Sequence, residues 1–204
     1  TPVPIIFRYV DIFDDNDINS AAVSVKRNLP YDTNVSFLQL DNGNILLSNM
    51  QTKKDQGITN LKALLLEPSK AEFEQNENGL TGKVTRNQTF KEGPDLCELT
   101  KKQNYCETIS KLQYVYYMSL AEDKRGNVAH LAVIGSGMGL IFPIDLQTAN
   151  SLTAYVFAYK PSSSVYAESY DEIASMKVNP LNGEIDMFLA KSGYHLRILF
   201  PQNL

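Results

Sequence analysis

Several residue types are scarce in this chain, and each scarcity excludes a class of protein. The 204 residues include no tryptophan, two cysteines and two histidines. No apolar run approaches the roughly 18 residues that a membrane-spanning helix needs. The formal net charge is −4, whereas proteins that bind nucleic acid through its phosphates are usually basic. We therefore expect no transmembrane segment in this chain and no nucleic-acid partner.

The scarcity of histidine restricts the catalytic chemistry that the chain can carry. His130 and His195 are the only imidazoles, and each falls inside a strand pattern, which is typical of a structural or surface residue. No G-x-S-x-G nucleophile motif is present. Asp171 and Glu172 are adjacent, so on a strand their carboxyl groups would face opposite ways and form a poor acid–base pair. The sequence therefore assigns no catalytic residue and no cofactor.

The two cysteines, Cys97 and Cys106, lie close together in a polar segment. A disulfide between them would close a loop of roughly 10 residues and contribute about 2–3 kcal/mol by the chain-entropy relation. Two inert thiols are the alternative. A zinc site is disfavoured because two thiolates need further ligands and only two histidines exist. We predict the disulfide.

Two features favour a compartment outside the cytoplasm. Asn34 and Asn87 each begin an Asn-x-Ser/Thr glycosylation motif, although short motifs of this kind also arise by chance. The chain begins with Thr1 and has no initiator methionine, which is consistent with a processed segment. Together with the predicted disulfide, these features indicate a secreted, periplasmic or cell-surface protein.

The apolar runs are short, rich in β-branched and aromatic residues, and separated by turn signals. Asn42-Gly43 and Asn78-Gly79 predict hairpins, the first between residues 35–40 and 44–48 and the second between residues 73–77 and 80–85. This spacing predicts a mainly β fold with antiparallel strands, sandwich- or meander-like and possibly α+β. We expect one β-rich domain over residues 1–204, with a cysteine-bearing surface excursion at about 91–111. A β-propeller, or a fragment of one, is the alternative, because residues 173–198 read as a meander. The predicted strands cover residues 4–13, 21–26, 35–40, 44–48, 61–66, 73–77, 80–85, 114–118, 128–134, 140–144, 152–159, 175–178, 184–189 and 194–200.

A glycine-rich loop follows the predicted strand at 128–134. Its glycines do not match the G-x-G-x-x-G dinucleotide motif, and Pro143 is incompatible with a following helix. We expect a hairpin turn between two strands. The alternative is a small-ligand loop formed by Gly135, Ser136, Gly137 and Gly139.

An acidic cluster near the N-terminus offers oxygen ligands at alternating positions, as calcium loops do. Asp15, Asp17 and Asn19 are the candidate ligands. Ser20 and Lys26 stand where an EF-hand needs glycine and glutamate, so an EF-hand is excluded. The alternative to a looser calcium site is a solvated turn.

Tyr114, Tyr116 and Tyr117 are candidates for an interaction surface, with cross-strand packing as the alternative. Because no catalytic constellation is found, we predict a non-enzymatic binding or assembly module that acts through protein–protein contacts. Exposed strand edges and tyrosine faces would carry those contacts. The alternatives are a hydrolase-type enzyme that uses one of the histidines, and a small-ligand carrier, each with its site near the 135–139 loop.

Overall fold

The chain folds mainly into β-strands, as the spacing of apolar runs predicts. The computed structural model describes residues 4–9, 23–28, 30–31, 34–53, 56–67, 91–110, 117–135, 137–151, 153–159 and 171–200. Within these ranges there are thirteen strands and two short α-helices. The mainly β, antiparallel prediction is confirmed.

The elements follow one another along the chain with short connections between many of the strands. In order they are β1 (Pro4–Tyr9), β2 (Val23–Asn28), β3 (Val35–Gln39), β4 (Ile45–Lys53), β5 (Gly57–Leu66), β6 (Lys91–Glu92), α1 (Leu96–Leu99), a 3₁₀ turn (Lys101–Gln103), α2 (Tyr105–Ser110), β7 (Tyr117–Asp123), β8 (Val128–Ile134), β9 (Met138–Asp145), β10 (Tyr155–Ala158), β11 (Ile173–Val178), β12 (Ile185–Leu189) and β13 (His195–Ile198).

Three antiparallel sheets make up most of the described structure. The first sheet has the strand order β3-β4-β5-β6, the second β7-β8-β9-β10 and the third β11-β12-β13, while β1 and β2 form a separate hairpin pair. In each of the three sheets every strand pairs with the next one in the chain. The sheets are therefore meanders, as predicted.

Two hydrophobic clusters join the sheets face to face. The first cluster lies between the first and second sheets and includes Leu131 and Val133 of β8. The second cluster lies between the second and third sheets and includes Ala132 and Ile134 of the same strand. Because successive side chains of a strand point to opposite faces, a strand buried on both sides reads as a continuous apolar run. The second sheet is thus the middle layer.

The sheets also share one way of stacking. Strand β7, the first strand of the second sheet, contacts β3 and β11, which are the first strands of the sheets on either side. Successive antiparallel meanders packed in this manner resemble neighbouring blades of a β-propeller. The described sheets form a row and not a closed barrel.

The predicted hairpin at Asn42-Gly43 is confirmed. Leu40 N donates to Asn44 O at 2.8 Å, and Gly43 has a φ of +83°, a conformation that glycine adopts without strain. The predicted hairpin between residues 73–77 and 80–85 lies outside the described residues.

Strand β5 begins earlier than predicted, at Gly57 instead of residue 61. Its first four residues are half-buried and non-apolar except for the buried Ile58, and they pair with the polar end of β4, as Asn60 does with Gln51. The apolar pattern that predicts the strand begins only at Leu61. Cross-strand pairing, which is not visible in the local sequence, extends the strand.

Pro143 lies in β9, which has neighbours on both sides, although proline is usually confined to edges. Gly135 N donates to Met138 O, so these two residues form a hydrogen-bonded pair of the ladder. Hydrogen-bonded and non-hydrogen-bonded pairs alternate along antiparallel strands, so Pro143 and its partner His130 form a non-hydrogen-bonded pair. The nitrogen of Pro143 therefore points away from β8. On the other side of β9, the pairing with β10 ends at Tyr155, which lies opposite Ile141, so β10 does not extend as far as Pro143. Proline is therefore tolerated because no ladder hydrogen bond is lost.

The cysteine-bearing excursion forms α1, the 3₁₀ turn and α2. Cys97 and Cys106 are joined by a disulfide, with their Cα atoms 5.6 Å apart. Asp95 caps α1, because its Oδ1 accepts from Cys97 N at 2.9 Å and also from Leu61 N of β5 at 3.2 Å. The carboxylate thus ties the helical segment to the first sheet, and the disulfide prediction is confirmed.

Candidate functional site

The glycine loop is a tight turn held by a tyrosine. Gly135 N donates to Met138 O at 2.9 Å, which closes the turn between β8 and β9. Tyr159 N donates to Gly137 O at 2.9 Å, and the Tyr159 hydroxyl donates to Gly135 O at 2.6 Å. Gly135 and Gly137 are both buried. Two backbone carbonyls of the loop are therefore engaged by the chain itself.

Gly139 has a packing role. A Cβ atom at this position would overlap the ring of Phe157, which pairs with it across β9 and β10. Ser136 lies outside the described residues. Ligand binding by Gly135, Ser136, Gly137 and Gly139 stays a prediction, and the observed contacts give the three glycines turn and packing roles.

Beside the loop, a buried carboxylate organises the start of the third sheet. Asp171 Oδ1 accepts from the backbone N–H groups of Glu172 at 3.2 Å, Lys191 at 3.0 Å and Ser192 at 3.3 Å. Burial disfavours the ionised form, but these hydrogen bonds, with that from the Ser192 side chain, outweigh it and lower the pKa of Asp171. Sequence reasoning considered Asp171 only as one of two adjacent carboxylates and missed this role.

Glu172 makes contacts separate from those of Asp171. Its Oε1 accepts from the Tyr117 hydroxyl at 3.0 Å and lies 3.6 Å from Lys191 Nζ. Tyr117 is half-buried against the second cluster. The other two tyrosines proposed for an interaction surface, Tyr114 and Tyr116, lie outside the described residues.

His130 lies in the interior between the second and third sheets. It is 6% exposed, stacks on Phe200 with centroids 5.0 Å apart, and has no hydrogen-bond partner for Nδ1 among the described residues. Burial lowers its pKa, against the attraction of Asp123, whose Oδ2 is 4.0 Å from Nε2. Five residues of β-strand, about 16 Å, separate His130 from Gly135. This histidine is therefore placed as a neutral core residue away from the loop.

Asp123 is itself held by a neighbouring guanidinium. Arg125 Nε and Nη2 donate to the two carboxylate oxygens of Asp123 at 3.1 and 2.9 Å. These hydrogen bonds lower the pKa of Asp123 despite its partial burial. Gly183, in the turn before β12, has a φ of +77°, which favours glycine, and a Cβ atom there would displace the Arg125 guanidinium.

His195 occupies a different environment, on the outer face of the third sheet. It pairs across the strands with Phe188, and the two rings are stacked with centroids 4.3 Å apart and an interplanar angle of 2°. Phe188 is 48% exposed. Sequence reasoning did not single out Phe188, although its alternation with the buried Met187 and Leu189 was a signal that it faces outward.

Charged groups surround this ring pair. Asp186 Oδ1 lies 2.8 Å from His195 Nε2, and Arg197 Nε lies 3.6 Å from Asp186 and 3.4 Å from Glu184. The hydrogen bond with His195 lowers the pKa of Asp186. Lys177 lies opposite Asp186 on β11. The outer face of the third sheet thus has an aromatic centre and charges of both signs.

A small cavity of about 150 Å³ lies where the disulfide-bearing segment meets β9 and the residues before β10. Its lining combines apolar and hydroxyl-bearing side chains, and these are Leu99, Thr100, Tyr105, Phe142, Ser151, Thr153 and Ala154. The Ser151 and Thr100 hydroxyls donate to Thr153 O and Leu96 O, so both donors are already used within the chain.

The remaining predicted residues are placed as follows. Asn34 is exposed, which leaves this glycosylation candidate accessible, whereas Asn87 lies outside the described residues. The candidate calcium ligands Asp15, Asp17 and Asn19 also lie outside them.

The described part of the chain lacks two kinds of feature. It contains no group of three or more His, Cys, Asp or Glu side chains placed to hold a metal ion. None of its helices has the length and apolar character to cross a membrane.

These features define the chain as a mainly β protein with a disulfide-linked pair of short helices. No protein family, curated protein or solved structure matches it.

Proposed function

We propose that this protein is a non-enzymatic binding module whose outer third-sheet face docks another protein. The observation that carries the proposal is the exposed stack of Phe188 on His195 at the centre of that face. Aromatic side chains and arginine contribute most to protein–protein binding when they lie centrally in a patch with a charged rim. Arg197 lies in the same face, beside the ring pair.

The outer face differs from the faces that join the sheets. The second sheet presents mostly apolar side chains towards the third sheet, among them Ala132, Ile134 and Ile141. The outer face instead combines Phe188 with charged side chains. This composition is typical of a surface that is exposed to solvent before a partner binds, and not of a face buried between two sheets. The β-sheet holds these side chains rigidly, which reduces the entropy lost on docking.

The geometry favours a partner of particular chemistry. The Phe188–His195 stack leaves Phe188 48% exposed, and this aromatic surface suits an aliphatic or aromatic side chain of the partner. The Arg197 side chain is 62% exposed beside Glu184 and Asp186, so its guanidinium is accessible to a carboxylate of the partner.

The experiment is an affinity capture from the native source with matched variants. Phe188→Ala removes one ring of the exposed stack, whereas Leu181→Ala removes a side chain that is 90% exposed in the turn before β12. For a protein bound through this face, Phe188→Ala should weaken the affinity about 30-fold or more, as for a binding hot spot, and Leu181→Ala should leave it unchanged. Equal recovery of every captured protein by the two variants would refute the proposal.

We also propose that the protein works outside the cytoplasm. The disulfide between Cys97 and Cys106 supports an oxidising compartment, and the exposed Asn34 is accessible to glycosylation. Intact mass measurement on protein from its native source, with and without reduction and alkylation, tests this. Two cysteines that react with the alkylating agent before reduction would contradict it.

A further inference from the structure

Among the described strands, the third sheet ends in an edge strand that has one neighbour. The first and second sheets have four strands each, whereas the third has three, and β13 is paired on one side only within the described residues. The residues flanking β13 are apolar and exposed, with Tyr194 at 47% and Leu199 at 66%. Natural proteins usually protect such an edge by shortness or charge, as the first sheet does with the two-residue β6.

The hydrogen-bond ladder shows which backbone groups of β13 are open. Leu189 N donates to Tyr194 O at 2.9 Å, and in an antiparallel pair the bonded positions recur at every second residue. Leu196 and Ile198 therefore direct their N–H and C=O groups towards β12. His195 and Arg197 direct theirs towards the open edge, where four backbone groups lack a strand partner among the described residues.

The sequence of β13 suits antiparallel pairing with itself. When the pairing is centred on Leu196, the His195 groups meet those of the partner's Arg197 and the ladder gains four hydrogen bonds. On the inner face, Leu196 then meets the partner's Leu196, and Ile198 meets the partner's Tyr194. A register centred on Arg197 would instead place two like charges opposite each other, which is destabilising.

We propose that two copies of this chain pair through β13, antiparallel and centred on Leu196, to form a continuous six-stranded sheet. The arrangement has two-fold symmetry, the commonest symmetry of homo-oligomers. The dimer proposal goes beyond the proposed function because it rests on the edge of β13 and not on the outer face. In the dimer, the outer faces of the two copies lie side by side. It can be tested on the purified chain alone, so its outcome does not depend on whether a partner protein is found.

The first test compares Arg197→Pro with Arg197→Ala. Both remove the guanidinium, but only proline removes the N–H that points to the open edge, and proline is tolerated where that N–H faces solvent. Light scattering over a concentration series measures the molar mass in solution, and the wild type should approach twice its chain mass of 22.9 kDa as the concentration rises. Arg197→Pro should raise the dimer dissociation constant about 30-fold over Arg197→Ala, because two backbone hydrogen bonds per dimer are lost. A monomeric wild type at all concentrations, or equal constants for the two variants, would overturn the proposal.

The second test does not rely on the proline variant folding. Both native cysteines are in the disulfide, so Leu196→Cys introduces a single free thiol. In the proposed register the two Leu196 positions form a non-hydrogen-bonded pair with Cα atoms about 4.5 Å apart, within disulfide range. Lys177→Cys places the thiol on β11, at the other edge of the same sheet. Air oxidation should convert Leu196→Cys to covalent dimer and leave Lys177→Cys largely monomeric, whereas equal dimer yields would count against the register.

Discussion

Removing the disulfide should destabilise the protein by an amount that the loop length sets. The perturbation is the double substitution Cys97→Ala and Cys106→Ala, or reduction of the wild type. The bond links α1 to α2 across a sequence separation of 9 residues. Cys106 and Leu96 are both buried in the first hydrophobic cluster, so the helical segment is packed onto the core as well as cross-linked.

The magnitude follows from the entropy that the cross-link removes from the unfolded chain. For a closed loop of about 10 residues, the chain-entropy relation gives about 2.7 kcal/mol at 25 °C. This corresponds to a roughly 100-fold change in the ratio of folded to unfolded protein. Because the effect acts on the unfolded state, the folded structure around Asp95 should change little, and its bond to Leu61 N should persist.

Urea unfolding of the oxidised protein, the reduced protein and the double variant measures the effect. The reduced wild type keeps both sulfur atoms, so its difference from the oxidised form isolates the cross-link. The double variant adds the loss of the buried Cys106 sulfur and should be slightly less stable than the reduced form. Unfolding midpoints that coincide for oxidised and reduced protein would refute the reasoning.

Two further predictions concern residues on the second sheet. Burial lowers the pKa of His130, so the unfolded chain binds its proton near pH 6.5 while the folded chain does not, and wild-type stability should fall as the pH drops from about 6.5. Denaturant titrations at pH 7.5 and 5.5 should show a larger loss for wild type than for His130→Asn, and parallel losses would exclude the histidine as the cause. Gly139→Ala should cost about 1–3 kcal/mol because its Cβ overlaps the Phe157 ring. Gly126→Ala, where a Cβ meets nothing, should change thermal stability by less than about 0.5 kcal/mol, and similar melting temperatures for the two variants would contradict the packing role of Gly139.

Local sequence signals were sufficient to predict a feature where neighbouring residues alone determine it. The Asn42-Gly43 turn was predictable because glycine supplies the positive φ that the hairpin needs. The strand at 128–134 was predictable to the residue because a strand buried on both faces is apolar throughout. The two cysteines were close enough in the chain for their disulfide to be expected.

Contacts between distant segments were not predictable in the same way. The start of β5 at Gly57 depends on pairing with the polar end of β4. The role of Asp171 depends on N–H groups about 20 residues further along the chain. The stack of Phe188 on His195 depends on the register of β12 and β13, which a shift of one residue would abolish.

The sequence by itself determined the class of fold, the hairpin turns and the disulfide, because residue periodicity, turn chemistry and loop closure act over a few positions. Only the tertiary structure decided which histidine is buried and which is exposed, since His130 and His195 occupy similar strand patterns. Within the described residues it also decided which strands stand at the sheet edges. These properties depend on how one sheet covers another, and burial and exposure are therefore set by long-range packing that no short stretch of sequence contains.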